Sequence, residues 1–167
     1  KLNCLNVEPN VIHKYMVKLE KMGKLKAIVT QNIDGLHTKA GSTNVLELHG
    51  TIYKNHCIKC HKFYDAKYVF NSKDIPLCEC GSLVKPDVVL YGEMLDEYTL
   101  NRSIEVISKC DTLIVAGTSL TVEPASSLIR LFNGKNLVII NRDATSYDSI
   151  ASLVINDEFK NIFDKLK

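Results

Sequence analysis

The stretch Ala27-Ile28-Val29-Thr30-Gln31-Asn32-Ile33-Asp34-Gly35-Leu36-His37 opens as a buried strand and ends in a crowd of polar groups. A second signal, Leu46-Glu47-Leu48-His49-Gly50, follows closely. Two amides, a carboxylate and an imidazole are thereby placed just beyond a strand end. Open α/β sheets bind their ligands there, outside the carboxyl ends of the strands. Polar side chains so close to a core strand are costly to bury unless something satisfies them, and a ligand is one candidate.

The rest of the chain fits such a sheet. Residues 111–116 (DTLIVA) and 137–141 (LVIIN) are continuous apolar runs of the kind buried on both faces in parallel sheets. Residues 86–92 (PDVVLYG) are expected to form a short strand opened by a proline. Val11, Ile12, Tyr15, Met16 and Leu19 recur at helical spacing over residues 10–22, and Gly23 supplies a stop. Further helices are expected over 96–109 and from Pro124 to Phe132. Strands alternating with helices predict an α/β fold with a parallel sheet. Residues 52–85 differ in character, with cysteines, lysines and few long apolar runs, and are expected to be an inserted module.

The chain has 167 residues, a length that suits one domain with a small insert. Its 21 basic and 19 acidic residues leave a net charge of +2, which gives no reason to expect nucleic acid or a membrane surface as partner. Lys18, Lys21, Lys24 and Lys26 read as the solvated side of a helix and turn. No stretch has the length and apolarity of a membrane span, and no signal peptide opens the chain. Four of the six cysteines have metal-ligand spacing, which favours a reducing compartment and so the cytoplasm.

Those four are Cys57 and Cys60, then Cys78 and Cys80, in the order C-x2-C, spacer, C-x-C. Two close thiolate pairs on turns can close a tetrahedron around Zn2+, leaving no open position, so the site is expected to be structural. The second pair is one residue shorter than the usual spacing. His56 and His61 stand beside the first pair as substitute ligands, and two disulfides or unmetallated thiols are the other readings. Cys4 and Cys110 read as small buried hydrophobes.

The segments TQNIDGLH (30–37), ELHG (47–50), the two cysteine pairs, KPDVVLYGE (85–93), GTSLTVEPAS (117–126) and VIIN (138–141) together resemble the sirtuins, NAD-dependent protein-lysine deacylases, of bacterial type. The resemblance runs from about residue 9 to residue 159. It implies a Rossmann-like NAD-binding domain over 1–51 and 86–167, with a zinc-binding module at 52–85. His49 matches the catalytic histidine. Gln31, Asn32 and Asp34 match positions lining the NAD site. Gly117, Thr118 and Ser119 match its phosphate and ribose loop, and Asn141, with Arg142 and Asp143 beside it, matches an adenosine-ribose contact. Val89, Tyr91, Gly92, Glu93 and Val122 match positions that bind the acyl-lysine peptide. The family's glycine-rich Gly-Ala-Gly-Ile-Ser-type loop and its Pro-Asp-Phe-Arg-type segment have no counterpart here. In isolation the chain is therefore expected to bind NAD poorly.

The implied activity is removal of acetyl or other acyl groups from protein lysines. Nicotinamide, free lysine and O-acetyl-ADP-ribose are the products, and His49 acts as the general base. Protein mono-ADP-ribosyl transfer and an inactive zinc-ribbon interaction fragment are the alternatives. The expected partner is an acetylated protein or peptide, and the chain is expected to be a monomer.

Overall fold

The computed structural model describes residues 5–124, 126–158 and 161–162. Cys4 lies outside them. The chain enters through helix α1 (Val11–Lys21), whose start is built by Asn10. The Asn10 side-chain oxygen accepts from the N–H groups of Ile12 (3.0 Å) and His13 (3.2 Å). Two of the helix's orphan donors are thereby satisfied. Strand β1 (Ile28–Thr30) follows, then the short helix α2 (Leu36–Ala40) and strand β2 (Val45–Glu47). β1 and β2 pair in parallel with Ile28 opposite Val45 and Thr30 opposite Glu47. The expected strand in the opening stretch is present, but its three residues are half-buried rather than buried.

The chain then leaves this pair through β3 (Gly50–Cys57) and β4 (Phe63–Asp65), crosses helix α3 (Ala66–Asn71) and returns through β5 (Val84–Val88). These strands form an antiparallel sheet in the order β4-β3-β5. The return strand spans Val84–Val88 rather than 86–92. Pro86, expected to open it, lies inside it, opposite Asn55 and where the register shifts between Thr51 and Asn55. A residue without an N–H is tolerated at an edge strand or bulge, and β5 is an edge strand here.

Helix α4 (Glu97–Lys109) is capped by Asp96, whose carboxylate accepts from the Thr99 N–H at 2.8 Å. Strands β6 (Thr112–Ala116), β7 (Asn136–Ile140) and β8 (Leu153–Ile155) form a parallel sheet in that order. The connection from β6 to β7 carries a 3₁₀ helix over Ser126–Leu131 instead of the expected α-helix. Ser127 explains part of this. Its hydroxyl donates to Glu123 (2.6 Å) and sits within bonding distance of the Pro124 carbonyl (2.9 Å). Such local bonds compete with the regular i→i−4 ladder.

One apolar cluster ties both parallel sheets together. Leu48, Ile107 and Leu128 are its buried centre, and Val29 of β1 and Leu113 of β6 pack against it. A second cluster, Leu120, Ile129, Leu137 and Ile139, lies under β7. The insert has only a small core of its own: Cys57, Tyr64, Cys78 and Val84, flanked by Val69.

α1 and α2 meet through the rings of His13 and His37, 4.7 Å apart. Burial holds both imidazoles below their ordinary value of 6.5, and His13 pushes His37 further down, while the Asp34 carboxylate opposes the shift at each. His37 Nδ1 is buried without a hydrogen-bond partner. Because the folded pKa values are depressed, the unfolded chain takes up protons first on acidification. Stability contributed by this pair is therefore present above pH 6.5 and lost as pH falls below it. Urea midpoints are expected to drop between pH 7.5 and 5.5, and His37→Gln should flatten part of that drop.

Candidate active site and metal centre

The ends of β1 and β2 position the first group of polar residues. The Leu48 N–H donates to the Thr30 carbonyl at 3.0 Å, extending the parallel pairing by one residue and setting the direction in which His49 leaves the strand. The His49 ring is half-buried, and its Nδ1 lies 3.0 Å from the Gln31 carbonyl oxygen. A carbonyl only accepts, so Nδ1 carries the proton and donates it. Nε2 is left with a free lone pair. One backbone bond thus selects the tautomer a general base requires.

His49 is also joined to the return strand. Its carbonyl accepts from the Val89 N–H at 3.1 Å, and Gly50 pairs with Val88. Val89, proposed from sequence as a peptide contact, is therefore one backbone hydrogen bond from the proposed base. Gly50 makes this junction possible. Its φ is +72°, and a Cβ there would stand 1.9 Å from the Asp87 carbonyl oxygen. Gly50→Ala must take a left-handed backbone, at about 1–2 kcal/mol, and push β5 away. We expect lower thermal stability together with a large loss of turnover, read by calorimetry and by nicotinamide release.

Asp34 and Asn32 lie on the same loop. Asp34 accepts from the Leu36 N–H at 3.0 Å, which shapes the turn into α2, and it is half-buried. Its charge reaches Glu47, whose carboxyl is pushed up mainly by burial, against Lys54 and with Asp34. Asn32 is exposed, and its N–H donates to the Thr30 hydroxyl at 3.1 Å. The Gln31 contribution to the His49 bond comes from its backbone rather than its amide.

A second group gathers beyond β6 and β7. The Gly117 N–H donates to the Ile140 carbonyl (3.1 Å), and the Asn141 N–H to that of Ile155 (3.1 Å). Thr118 Oγ1 accepts from the Leu120 N–H at 3.2 Å, and Ser119 bonds Thr121 at 2.7 Å. The Asn141 amide donates to the Asp143 carbonyl at 2.9 Å, and Arg142 pairs with Asp143 at 3.4 Å across an exposed surface. No hydrogen bond among the described residues joins this group to the His49 group. The apolar cluster shared by Val29 and Leu113 is what relates them.

The remaining peptide candidates lie on or near an exposed loop. Tyr91 is fully exposed, and Val122 is 48% exposed. Gly92 turns the loop with a φ of +85°. Glu93 is not free: its carboxylate accepts from Lys85 (2.9 Å) and from the Leu90 N–H (3.0 Å), and these bonds hold it below the usual carboxylate range. Lys85 was not singled out from sequence. Its opposite charge eight residues before Glu93 was the available signal.

The four cysteines converge. Their sulfurs all lie within 4.8 Å of one another, and those of Cys57–Cys80 and Cys60–Cys78 are separated by 3.5 and 3.4 Å. Disulfides would require about 2.05 Å. A tetrahedral zinc with bonds of about 2.3 Å spaces its sulfurs by about 3.8 Å, so the cluster fits that ion. Cys57 Sγ accepts the N–H groups of Lys59 and Cys60, each at 3.4 Å. The Cys80 N–H and then the Tyr64 hydroxyl draw the Cys78 thiol down to about 6. His56 is turned to Asp87 at 2.8 Å, and neither it nor His61 belongs to the cluster. Cys110 is half-buried, and burial pushes its thiol up.

The chain resembles known proteins in sequence and in fold. A Sir2 family model matches residues 1–124. An NAD-dependent protein deacetylase of Clostridium perfringens is 56% identical over 168 residues, covering 99% of this chain and 69% of that protein. One from Clostridium acetobutylicum is 53% identical over 161 residues, covering 95% of this chain and 66% of that protein. The chain thus spans about two thirds of the length of these relatives. Among solved structures, Sir2 bound with an inhibitor, 2′-O-acetyl-ADP-ribose and a deacetylated peptide superposes with a TM-score of 0.94 at 38% identity, over 99% of this chain and 73% of that one. Sir2 with a peptide and NAD+ superposes with a TM-score of 0.92 at 38% identity, over 99% and 71%. With the family model, the close relatives and the fold in agreement, the chain belongs to the Sir2 family.

Proposed function

We propose that this protein removes acetyl groups from protein lysines with NAD and water as co-substrates, releasing nicotinamide, free lysine and O-acetyl-ADP-ribose. The observation that carries the reading is the His49 imidazole, held by the Gln31 carbonyl with Nε2 free, beside the strand end at Val89. The names of the close relatives support it.

In this reading His49 takes a proton from a ribose hydroxyl of the substrate, a role suited to an imidazole near neutral pH. Asn32 and Asp34 face the nicotinamide ribose. Gln31 orients His49. Gly117, Thr118 and Ser119 cradle phosphate and ribose, and Asn141, Arg142 and Asp143 bound the adenosine end. An acetyl-lysine peptide adds as a strand beside Val89, Gly92, Glu93 and Val122, an arrangement whose affinity comes from main-chain bonds and suits many sequences. Tyr91 borders the lysine. Residues 52–85 form the zinc module and the rest the NAD-binding domain. Zinc at Cys57, Cys60, Cys78 and Cys80 has no open position and supplies structure only. No helix among the described residues is long and apolar enough to cross a membrane. Four reduced thiols suit the cytoplasm.

The test is nicotinamide release from NAD by the protein expressed from its complete gene. Release that requires an acetyl-lysine peptide is the expected result. Release without it, with label appearing on protein, would favour ADP-ribosyl transfer instead.

A further inference from the structure

The two knuckles of the metal centre differ in what they offer their sulfurs. In the Cys57-x-x-Cys60 turn, Cys57 Sγ receives two backbone N–H groups, from Lys59 and Cys60, at 3.4 Å each. The Cys78-x-Cys80 turn is one residue shorter. It presents Cys78 Sγ with a single backbone donor, Cys80 N–H, at 3.5 Å. A thiolate bound to a cation is stabilised by outer donors. The Gly81 N–H, counterpart of the Cys60 N–H, donates to the Cys78 carbonyl at 2.8 Å instead, so the leading sulfur of this turn is one donor short.

Tyr64 supplies a second donor to this sulfur. Its hydroxyl donates to Cys78 Sγ at 3.2 Å and accepts the Glu79 N–H at 3.3 Å. The ring is 8% exposed and is packed with Cys57, Cys78, Val84 and Val69. Its backbone is tied as well: Asn55, 1% exposed, donates its amide to the Tyr64 carbonyl at 3.3 Å, and Tyr64 lies opposite Asn55 across β3–β4. Among the described residues, no other non-cysteine side chain bonds a ligand sulfur. We infer that Tyr64 is a positioning residue of the zinc centre, its hydroxyl replacing the backbone donor that the shortened Cys78–Cys80 turn directs to the Cys78 carbonyl.

The inference rests on zinc occupying the four cysteines, and the two can fail separately. The purified chain should contain one zinc; a wild-type chain without it overturns the metal reading itself. Tyr64→Phe keeps the ring and its packing and removes only the oxygen. The variant is expected to fold and take up zinc, but to lose it to a chromogenic chelator with about 10–100-fold weaker affinity. The 113Cd resonance of the cadmium-loaded variant should also move relative to wild type, which a purely packing role would not cause. Inserting one glycine between Glu79 and Cys80 in the Tyr64→Phe chain restores a normal-length turn and should recover most of the lost affinity. Equal chelator competition and an unmoved cadmium resonance in Tyr64→Phe would overturn the inference. A variant too unstable to hold metal that stays so after the insertion would overturn it as well.

Discussion

Chelation of zinc is expected to unfold the insert from about Cys57 to Val84 while the parallel strands stay folded. The insert's core has four buried members, and two of them, Cys57 and Cys78, are the proposed ligands. Around it Ile58, Phe63, Ile75, Leu77 and Leu83 are each 45–70% exposed. So little apolar burial cannot offset the backbone entropy of ordering these residues. Structural zinc sites contribute about 10–16 kcal/mol of apparent binding free energy in small peptides, more than this core could replace. The unfolding should stop near the site. The register shift between Thr51 and Asn55 separates the distal half of β3 from the Gly50–Val88 and Thr51–Asp87 pairs, and Leu48 is anchored in the main core. Protease should therefore cut within 58–83 after chelation and spare 28–50. Far-ultraviolet dichroism should lose the antiparallel contribution. Cys57→Ser should reproduce both effects without chelator. A cleavage pattern unchanged by complete zinc removal would refute the structural role.

The legible parts of this chain are those where one local pattern decides. Leu137–Ile140 is continuously apolar and lies between β6 and β8, so both its edges and much of its surface are enclosed. The run in sequence is the direct trace of that burial. Gly23 marks the end of α1 because a stop is chemistry within a few residues. The cysteine pairs are legible for the same reason. Features made by residues distant in sequence leave no such trace. Nothing near Gly50 says that the Asp87 carbonyl will occupy the space where a Cβ would go. Nothing near Tyr64 says that its hydroxyl will meet Cys78. Pro86 reads in sequence as an opening residue of β5, whereas a bulge in the facing strand admits it two residues in. Residues 124–132 have helical spacing, yet side-chain bonds from Ser127 compete with the ladder and a 3₁₀ helix results.

Replacing His49 with alanine is expected to reduce peptide-dependent nicotinamide turnover by about 10²–10⁴-fold, the usual contribution of a positioned acid or base. The fold should survive. The side chain makes one hydrogen bond, to the Gln31 carbonyl, worth about 1 kcal/mol net, and the strand junction is carried by the His49 backbone through Val89. Zinc content and the thermal midpoint should therefore stay close to wild type, and binding of an acetyl-lysine peptide to the strand end should persist. His37 is the informative control. It too is an imidazole after β1, but its ring meets His13 between two helices and its Nδ1 faces no partner. His37→Gln should alter the acid limb of stability and leave turnover at neutral pH within a few fold. Opposite outcomes for these two histidines, activity lost at one and acid stability altered at the other, follow from where their Nδ1 atoms point. Turnover retained in His49→Ala would remove the imidazole from the chemistry and, with it, the significance of the Gln31 bond.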